Sequence, residues 1–265
     1  MQNTTEKSSR SAEGLYKFFI YFVLVLLAVT IIVPVAWVFM ASIKQNAEFY
    51  GNPWALPAGF YWQNFVNAWN GAKMGEYMLN SVIVTALALA LLLVVALPAA
   101  YCLSRFHFKG RKLLQNLSVT VNLFPGVLAM IAVYFVLKYM NLTNSYAGLI
   151  MVYAGSSGLG YLICKGFFDT VPVALREAAK LDGASEARIF FQIVIPMSRP
   201  ILVYTIISSF LTPWTDFVVA KMILNSGVSS DWTVAIGLYN MLQKALINNY
   251  FSRFCAGGVL VAIPI

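Results

Sequence analysis

The chain has 265 residues, 60% of them hydrophobic and only 11% charged, against about 25% charged in an ordinary soluble domain. That composition excludes a water-soluble globule and fits a membrane protein. The formal charge of +8 is spread over short loops, which fits a cytoplasmic-face preference for Lys and Arg and not a nucleic-acid-binding face.

In chain order, residues 1–17 are polar and rich in Ser and Thr, so they read as an irregular N-terminal tail. The following apolar run is too long for a signal peptide. Phe18 to Ala41 is uncharged and long enough to cross a bilayer, with Pro34 inside it. Lys44 to Glu76 is a polar loop carrying Phe49, Tyr50, Trp54, Phe60, Trp62 and Trp69. Its aromatics read either as an interfacial belt or as an outer-face loop that touches a substrate-binding protein. Met78 to Leu103 is a second span, and Arg105, His107, Lys109, Arg111 and Lys112 form a basic loop after it. Leu113 to Leu137 reads as a third span containing Asn122 and Pro125. Tyr146 to Cys164 reads as a fourth, with Gly155, Ser156, Ser157, Gly158 and Gly160 as a small-residue helix-packing face.

Thr170 to Pro200 is the longest charged stretch. Pro172 suits a first helical turn. Val173 to Leu181 holds good helix formers, with Leu175, Ala178, Ala179 and Leu181 placed as an apolar stripe. Gly183 suits the left-handed stop of that helix. Ser185 suits the cap of a second one, with Glu186 in its first turn. Pro196 and Pro200 mark the turn into a fifth span, Ile201 to Ala220. Asn225 to Trp232 is a polar loop, and Thr233 to Leu246 reads as a helix at the outer surface. Phe254 to Ile265 is apolar but only about 18 Å long as a helix, so it reads as the start of a sixth span that the sequence does not complete.

With the N-terminus inside, two thirds of the 18 Lys and Arg residues fall on inner segments, which places 170–200 in the cytoplasm. Cys102, Cys164 and Cys255 share no close spacing, His107 is alone, and no GxxxxGK[ST] stretch occurs. No metal site, disulfide framework, catalytic constellation or bound cofactor is readable in this chain. Polar residues inside spans usually face a cavity or a partner helix. Asn122 beside Phe124-Pro125-Gly126, and Trp214 with Asp216 after Pro213, are the candidate pathway residues. The competing reading of Asn122 is an interhelical hydrogen bond; that of Trp214 and Asp216 is an interfacial anchor with a solvated acid.

Glu177-Ala178-Ala179, then three residues, Gly183, then nine residues and Ile193-Val194-Ile195-Pro196 resembles the cytoplasmic Glu-Ala-Ala loop of the permease subunits of bacterial ABC importers. The family prefers Leu where Ile195 stands, a conservative departure. Asp182-Gly183-Ala184 followed by Phe190 to Pro196 resembles the sugar-importer branch, and within it the second permease of maltose and maltodextrin importers. Leu56 to Trp69 resembles the family's approach to its second span. The resemblance implies an all-α fold of six transmembrane helices, the last incomplete here. It divides the chain into a cytoplasmic tail (1–17) and a permease domain (18–265) with a coupling loop at 170–200. It further implies a coupling helix, roughly Pro172 to Gly183, set in a cleft of a cytoplasmic ATPase, with Arg176, Glu177, Ala178, Ala179, Asp182, Gly183 and Pro196 as the coupling residues. Implied partners are a homologous permease, an ATPase dimer that holds the ATP and Mg²⁺, an extracytoplasmic sugar-binding protein and membrane lipid. The implied location is the bacterial inner membrane. The resemblance also implies that the partner permease carries most sugar contacts. Alternatives are an importer for another oligosaccharide or for glycerol phosphate, or a secondary transporter, for which the sequence shows no paired repeats or midplane ionisable groups.

Overall fold

The computed structural model describes residues 2–123, 126–156, 158–248 and 250–265, and among these there is no strand. Helices follow in the order α1 (Gln2–Ser42), α2 (Asn46–Gly51), α3 (Gln63–Val66), α4 (Met74–Arg105), α5 (Arg111–Leu123), α6 (Gly126–Tyr139), α7 (Tyr146–Ser156) and α8 (Gly158–Thr170). The order continues with α9 (Val173–Leu181), α10 (Glu186–Ile189), α11 (Ile195–Met197), α12 (Arg199–Thr215), α13 (Val218–Ile223), α14 (Val234–Asn248) and α15 (Phe251–Ala262). The segments 16–42, 74–105 and 146–170 are each long and apolar enough to cross a bilayer.

Two expectations change. The N-terminal tail is helical from Gln2 and runs without a break into the first span. No proline interrupts it, and its helix formers extend the ladder that the apolar segment nucleates. The third expected span is a pair of helices bent by 111° between Leu123 and Leu128. Phe124 and Pro125 lie outside the described residues, as does Ser157 of the small-residue cluster. The segment 186–197, which precedes the expected fifth span, meets 199–215 at 82°. The apolar C-terminal helix α15 has 12 residues, about 18 Å of rise.

The chain forms two compact units, residues 1–72 with 240–265, and residues 73–239. In the first, α1 packs on α15 through Trp37, Val38 and Ala41, which meet Phe49, Phe251, Phe254 and Cys255. Trp37 lies against Phe49 and Phe251, whose rings stack on each other at 4.8 Å. The loop between α1 and α3 is held by two buried polar side chains. Lys44 is fully buried and donates to the carbonyls of Asn52 (3.3 Å) and Pro53 (3.2 Å). Asn64 donates to the carbonyls of Ser42 (2.9 Å) and Lys44 (2.7 Å). Buried polar groups persist only when paired in this way.

In the second unit α4 is the shared spine, with an apolar cluster toward each end. Val84 and Ala88 join Leu137, Leu149, Tyr153, Ile223 and Ile236. Leu97, Ala100 and Tyr101 join Cys164, Phe168, Ile189, Phe190 and Val194. The second cluster forms the floor on which the 170–200 segment rests. Near the first, the turn between α6 and α7 is tightly built. Asn141 and Asn144 take the left-handed conformation, which asparagine tolerates better than most residues. Ser145 donates to the Leu142 carbonyl at 2.7 Å and accepts from the Gly148 amide at 3.1 Å. A methyl group on Gly148 would lie far inside contact distance of the Leu142 carbonyl oxygen and 3.2 Å from its carbon. That carbonyl belongs to a hydrogen-bonded turn and cannot swing away. Gly148→Ala is therefore expected to destabilise the protein by about 1–3 kcal/mol. Thermal unfolding in detergent micelles checks this, with Gly155→Ala as the control, because nothing lies within 4 Å of a methyl group at that position.

Candidate functional site

The segment between α8 and α12 is built from local signals. Val171 is buried, and Pro172 has φ −58° and ψ 130°. Pro172 thus stands at the N-cap, one residue outside the helix and not in its first turn. Its extended ψ is what turns the chain from α8 into α9. At the other end Gly183 adopts φ +80°, a conformation open to glycine at little cost. The Gly183 amide donates to the Lys180 carbonyl (3.0 Å) and the Ala184 amide to the Ala179 carbonyl (2.9 Å). This paired closure is a Schellman stop. Ser185 then caps α10, its hydroxyl accepting from the Arg188 amide at 3.3 Å. A wide π-turn over Phe190–Val194 precedes Pro196. Its Ile195 amide reaches back to the Phe190 carbonyl, and this carries the ladder up to the proline, which cannot donate.

The Glu186 carboxylate joins three elements. Tyr101 of α4 donates to it at 2.8 Å, Arg176 of α9 at 3.2 Å through Nε and also through Nη2, and Lys180 of α9 at 2.7 Å. The Arg176 and Glu186 side chains are only 19% and 29% exposed. Arg176 also lies over the Phe106 ring, 5.5 Å from its centre. Burial pushes the Glu186 carboxyl up, but the hydrogen bonds from Arg176, Lys180 and Tyr101 outweigh it and hold the pKa at about 2. Such a charge-assisted, largely covered cluster contributes about 1–2 kcal/mol, more than an exposed ion pair. Beneath α9, Ala179 and Ala184 pack on the cluster of Tyr101, Phe168 and Phe190.

A second tie fixes the entry to this segment. Arg105, the last residue of α4, donates through Nη2 to the carbonyls of Phe168 and, at 2.6 Å, Val171. A cation thereby covers carbonyls at the end of α8, one of which, Phe168, also accepts from the Val171 amide at 3.2 Å. Ser104 and Lys165 both donate to Asp169, at 2.7 and 2.6 Å.

These contacts sort the residues singled out in the sequence. Arg176 and Ala179 face the chain's own body. Ala174, Glu177, Ala178 and Leu181 lie on the opposite, exposed face, with Val173, Leu175, Asp182 and Gly183 also open. Leu181 is 90% exposed, and Glu177 makes no hydrogen bond or ion pair among the described residues. The apolar stripe is therefore divided: its alanine at 179 anchors the helix, while its leucines point away. Pro196 is exposed in α11. Tyr101 and Glu186 complete the cluster although no local pattern links them, because they lie 85 residues apart.

The pathway candidates are placed as follows. Asn122 donates to the Ser118 carbonyl one turn back in α5, at 2.7 Å. Trp214 is fully buried and stacks on Phe210 at 5.5 Å. Asp216 accepts from the Tyr153 hydroxyl at 2.8 Å and from the Ala220 amide at 3.1 Å, so it caps α13 across the break after α12. No hydrogen bond among the described residues joins Asn122 to the other two. Among the described residues no group of His, Cys, Asp or Glu is placed to hold a metal.

The Glu186 cluster is open to test. Glu186→Gln keeps the shape and removes the charge, and is expected to speed amide exchange in α9 about 5- to 30-fold while leaving α4 unchanged. In the unaltered protein, the depressed pKa makes the contribution complete above the ordinary carboxylate value of 4.5, and lost only as the pH falls toward about 2. Hydrogen–deuterium exchange at neutral pH reads the first effect, and the same measurement on acidified samples reads the second.

Comparison with known proteins places this geometry. The family model described as binding-protein-dependent transport system inner membrane component matches residues 92–265. The diacetylchitobiose uptake system permease protein NgcG of Streptomyces coelicolor is 32% identical over 260 residues, covering 98% of this chain and 85% of that protein. The galactooligosaccharides transport system permease protein GanQ of Bacillus subtilis is 31% identical over 93% of this chain and 87% of its own. The maltodextrin transport system permease protein MalD of Streptococcus pneumoniae is 29% identical over 100% of this chain and 92% of its own. A solved bacterial ABC transporter involved in alginate import superimposes with a TM-score of 0.82 at 18% identity, covering 95% of this chain and 92% of that one, and so shares the fold. This all-α, multi-pass membrane chain belongs to the family of binding-protein-dependent transport system inner membrane components, the permease subunits of ABC importers, which are not themselves enzymes.

Proposed function

We propose that this chain is one of two homologous permeases of an ATP-driven importer for oligosaccharides, of maltodextrin type or close to it, in a bacterial inner membrane with the N-terminus in the cytoplasm. The observation that carries the reading is the divided helix α9. Its inner face is clamped by Glu186 and Ala179, while Leu181, Ala178 and Glu177 stand exposed and unpaired on the other. A chain that exposes a leucine to 90% on a braced helix presents a ready docking face. A cytoplasmic ATPase dimer, which holds the ATP and Mg²⁺, covers that face. Its closure moves α9, and the bundle alternates between outward and inward access. An extracytoplasmic binding protein delivers the sugar. This chain needs no cofactor of its own.

Relatives that handle diacetylchitobiose, galactooligosaccharides and maltodextrin support an oligosaccharide as the cargo. Membership of this family also disfavours the secondary-transporter alternative.

Leu181→Asp separates docking from folding. Leu181 is nearly free of intrachain packing, so the change should shift this chain's stability by no more than about 0.5 kcal/mol. Glu177→Lys reverses the charge of an unpaired side chain. Both variants are expected to insert normally, to copurify less ATPase, and to lose most sugar-stimulated ATP hydrolysis and uptake in proteoliposomes. Unchanged uptake in both would refute the coupling role of α9.

A further inference from the structure

The first unit holds a cavity that the coupling function does not use. It measures about 280 Å³ and is lined by Gln45, Asn46, Tyr61, Asn64, Asn67 and Arg253, with Tyr250 at its edge. Its wall is rigid. Asn64 is buried and fixed by the carbonyls of Ser42 and Lys44. Asn46 accepts from the Ser252 amide at 3.2 Å, which ties α2 to the start of α15. Arg253 lies over the Tyr250 ring, 4.5 Å from its centre.

The lining is unusual for its unspent hydrogen-bonding capacity. Among the described residues Arg253 has no carboxylate partner, the Gln45 amide has no hydrogen bond, and the Asn64 side-chain oxygen accepts none. Asn46 and Asn67 use only their oxygens, leaving their amide groups free to donate. Planar amides, a guanidinium fork and tyrosine edges within one small polar cavity match the alternating donors, acceptors and C–H faces of a sugar ring. A cation without a carboxylate in such a place favours a ligand that brings two adjacent oxygens.

We propose that this cavity is a saccharide subsite that holds one sugar ring. Arg253 grips two neighbouring oxygens of the sugar, and Gln45, Asn46 and Asn67 take its other hydroxyls. The subsite rests on the oligosaccharide-importer reading above. Its lining belongs to the first unit alone and shares no residue with the candidates Asn122, Trp214 and Asp216. The two oxygens are either neighbouring hydroxyls or a ring carboxylate.

The test uses the importer copurified from its host with its partner subunits, in lipid nanodiscs without the binding protein. Saturation-transfer NMR is recorded with maltotriose and with trigalacturonate as probes. At least one probe should bind saturably. Gln45→Ala, a change at an exposed side chain, should weaken binding about tenfold, and Arg253→Gln about 10- to 100-fold. A greater loss for trigalacturonate assigns the fork to a carboxylate, and a greater loss for maltotriose assigns it to hydroxyls. Absence of binding to the unaltered importer, or binding that neither variant changes, overturns the subsite. Binding-protein stimulation that Arg253→Gln abolishes without any sugar binding overturns it too, and gives the cavity to an acidic side chain of that protein. ATP hydrolysis stimulated by sugar and binding protein is measured alongside. If it persists while the subsite fails, only the subsite is lost. If no oligosaccharide stimulates the unaltered importer, the cargo reading falls as well.

Discussion

One carboxylate organises the charged end of the second unit. Glu186 collects donors from α4 and α9, so the first residue of one short helix binds the preceding helix to the longest helix of that unit. Without it, α9 would rest on Ala179, on Ala184 just beyond its end, and on the Arg176 contact with Phe106, with little apolar area to bury. A nine-residue helix is too short to hold its shape in water unaided. The ionic cluster and the glycine stop at 183 together supply what length and packing do not. They leave one face of α9 fixed and the other free.

The same logic recurs at three other helix ends. Arg105 covers carbonyls at the end of α8, Asp216 caps α13 while holding Tyr153, and Ser145 caps α7 while bonding back to Leu142. These side chains pair backbone groups that a helix end leaves open. Polar residues that stand out in an apolar sequence are often doing this. Asp216 and Asn122 show that such residues can be occupied within the fold. Their standing as pathway residues cannot be read from polarity alone.

What could be read from the sequence was local. Gly183 and Ser185 lie where a stop and a cap are required within a few residues, and both are found there. The bounds of α4, α9 and α14 follow from apolar runs and breakers. Pairings distant along the chain left no such trace: nothing near Tyr101 announces Glu186. Periodicity placed Leu175, Ala178, Ala179 and Leu181 on a common stripe, yet it does not say which neighbour each will meet, and the stripe is split. The third span misled because a run of apolar residues looks the same whether it crosses straight or folds at 111°. The family motif singled out the 170–200 segment because three spaced residue types, Glu, Gly and Pro, occur together in it.

The near-right-angled joint at Ser198 has a mechanical consequence. The segment 186–197 meets 199–215 at 82°, like a crank on a shaft. A push across a crank appears along the shaft as torque, whereas at a collinear joint the same push would only bend the rod. Ser198 is fully buried at the elbow, so the joint is packed and not slack. Rotation about the axis of 199–215, more than movement along it, is thus the motion to which the joint is geometrically suited.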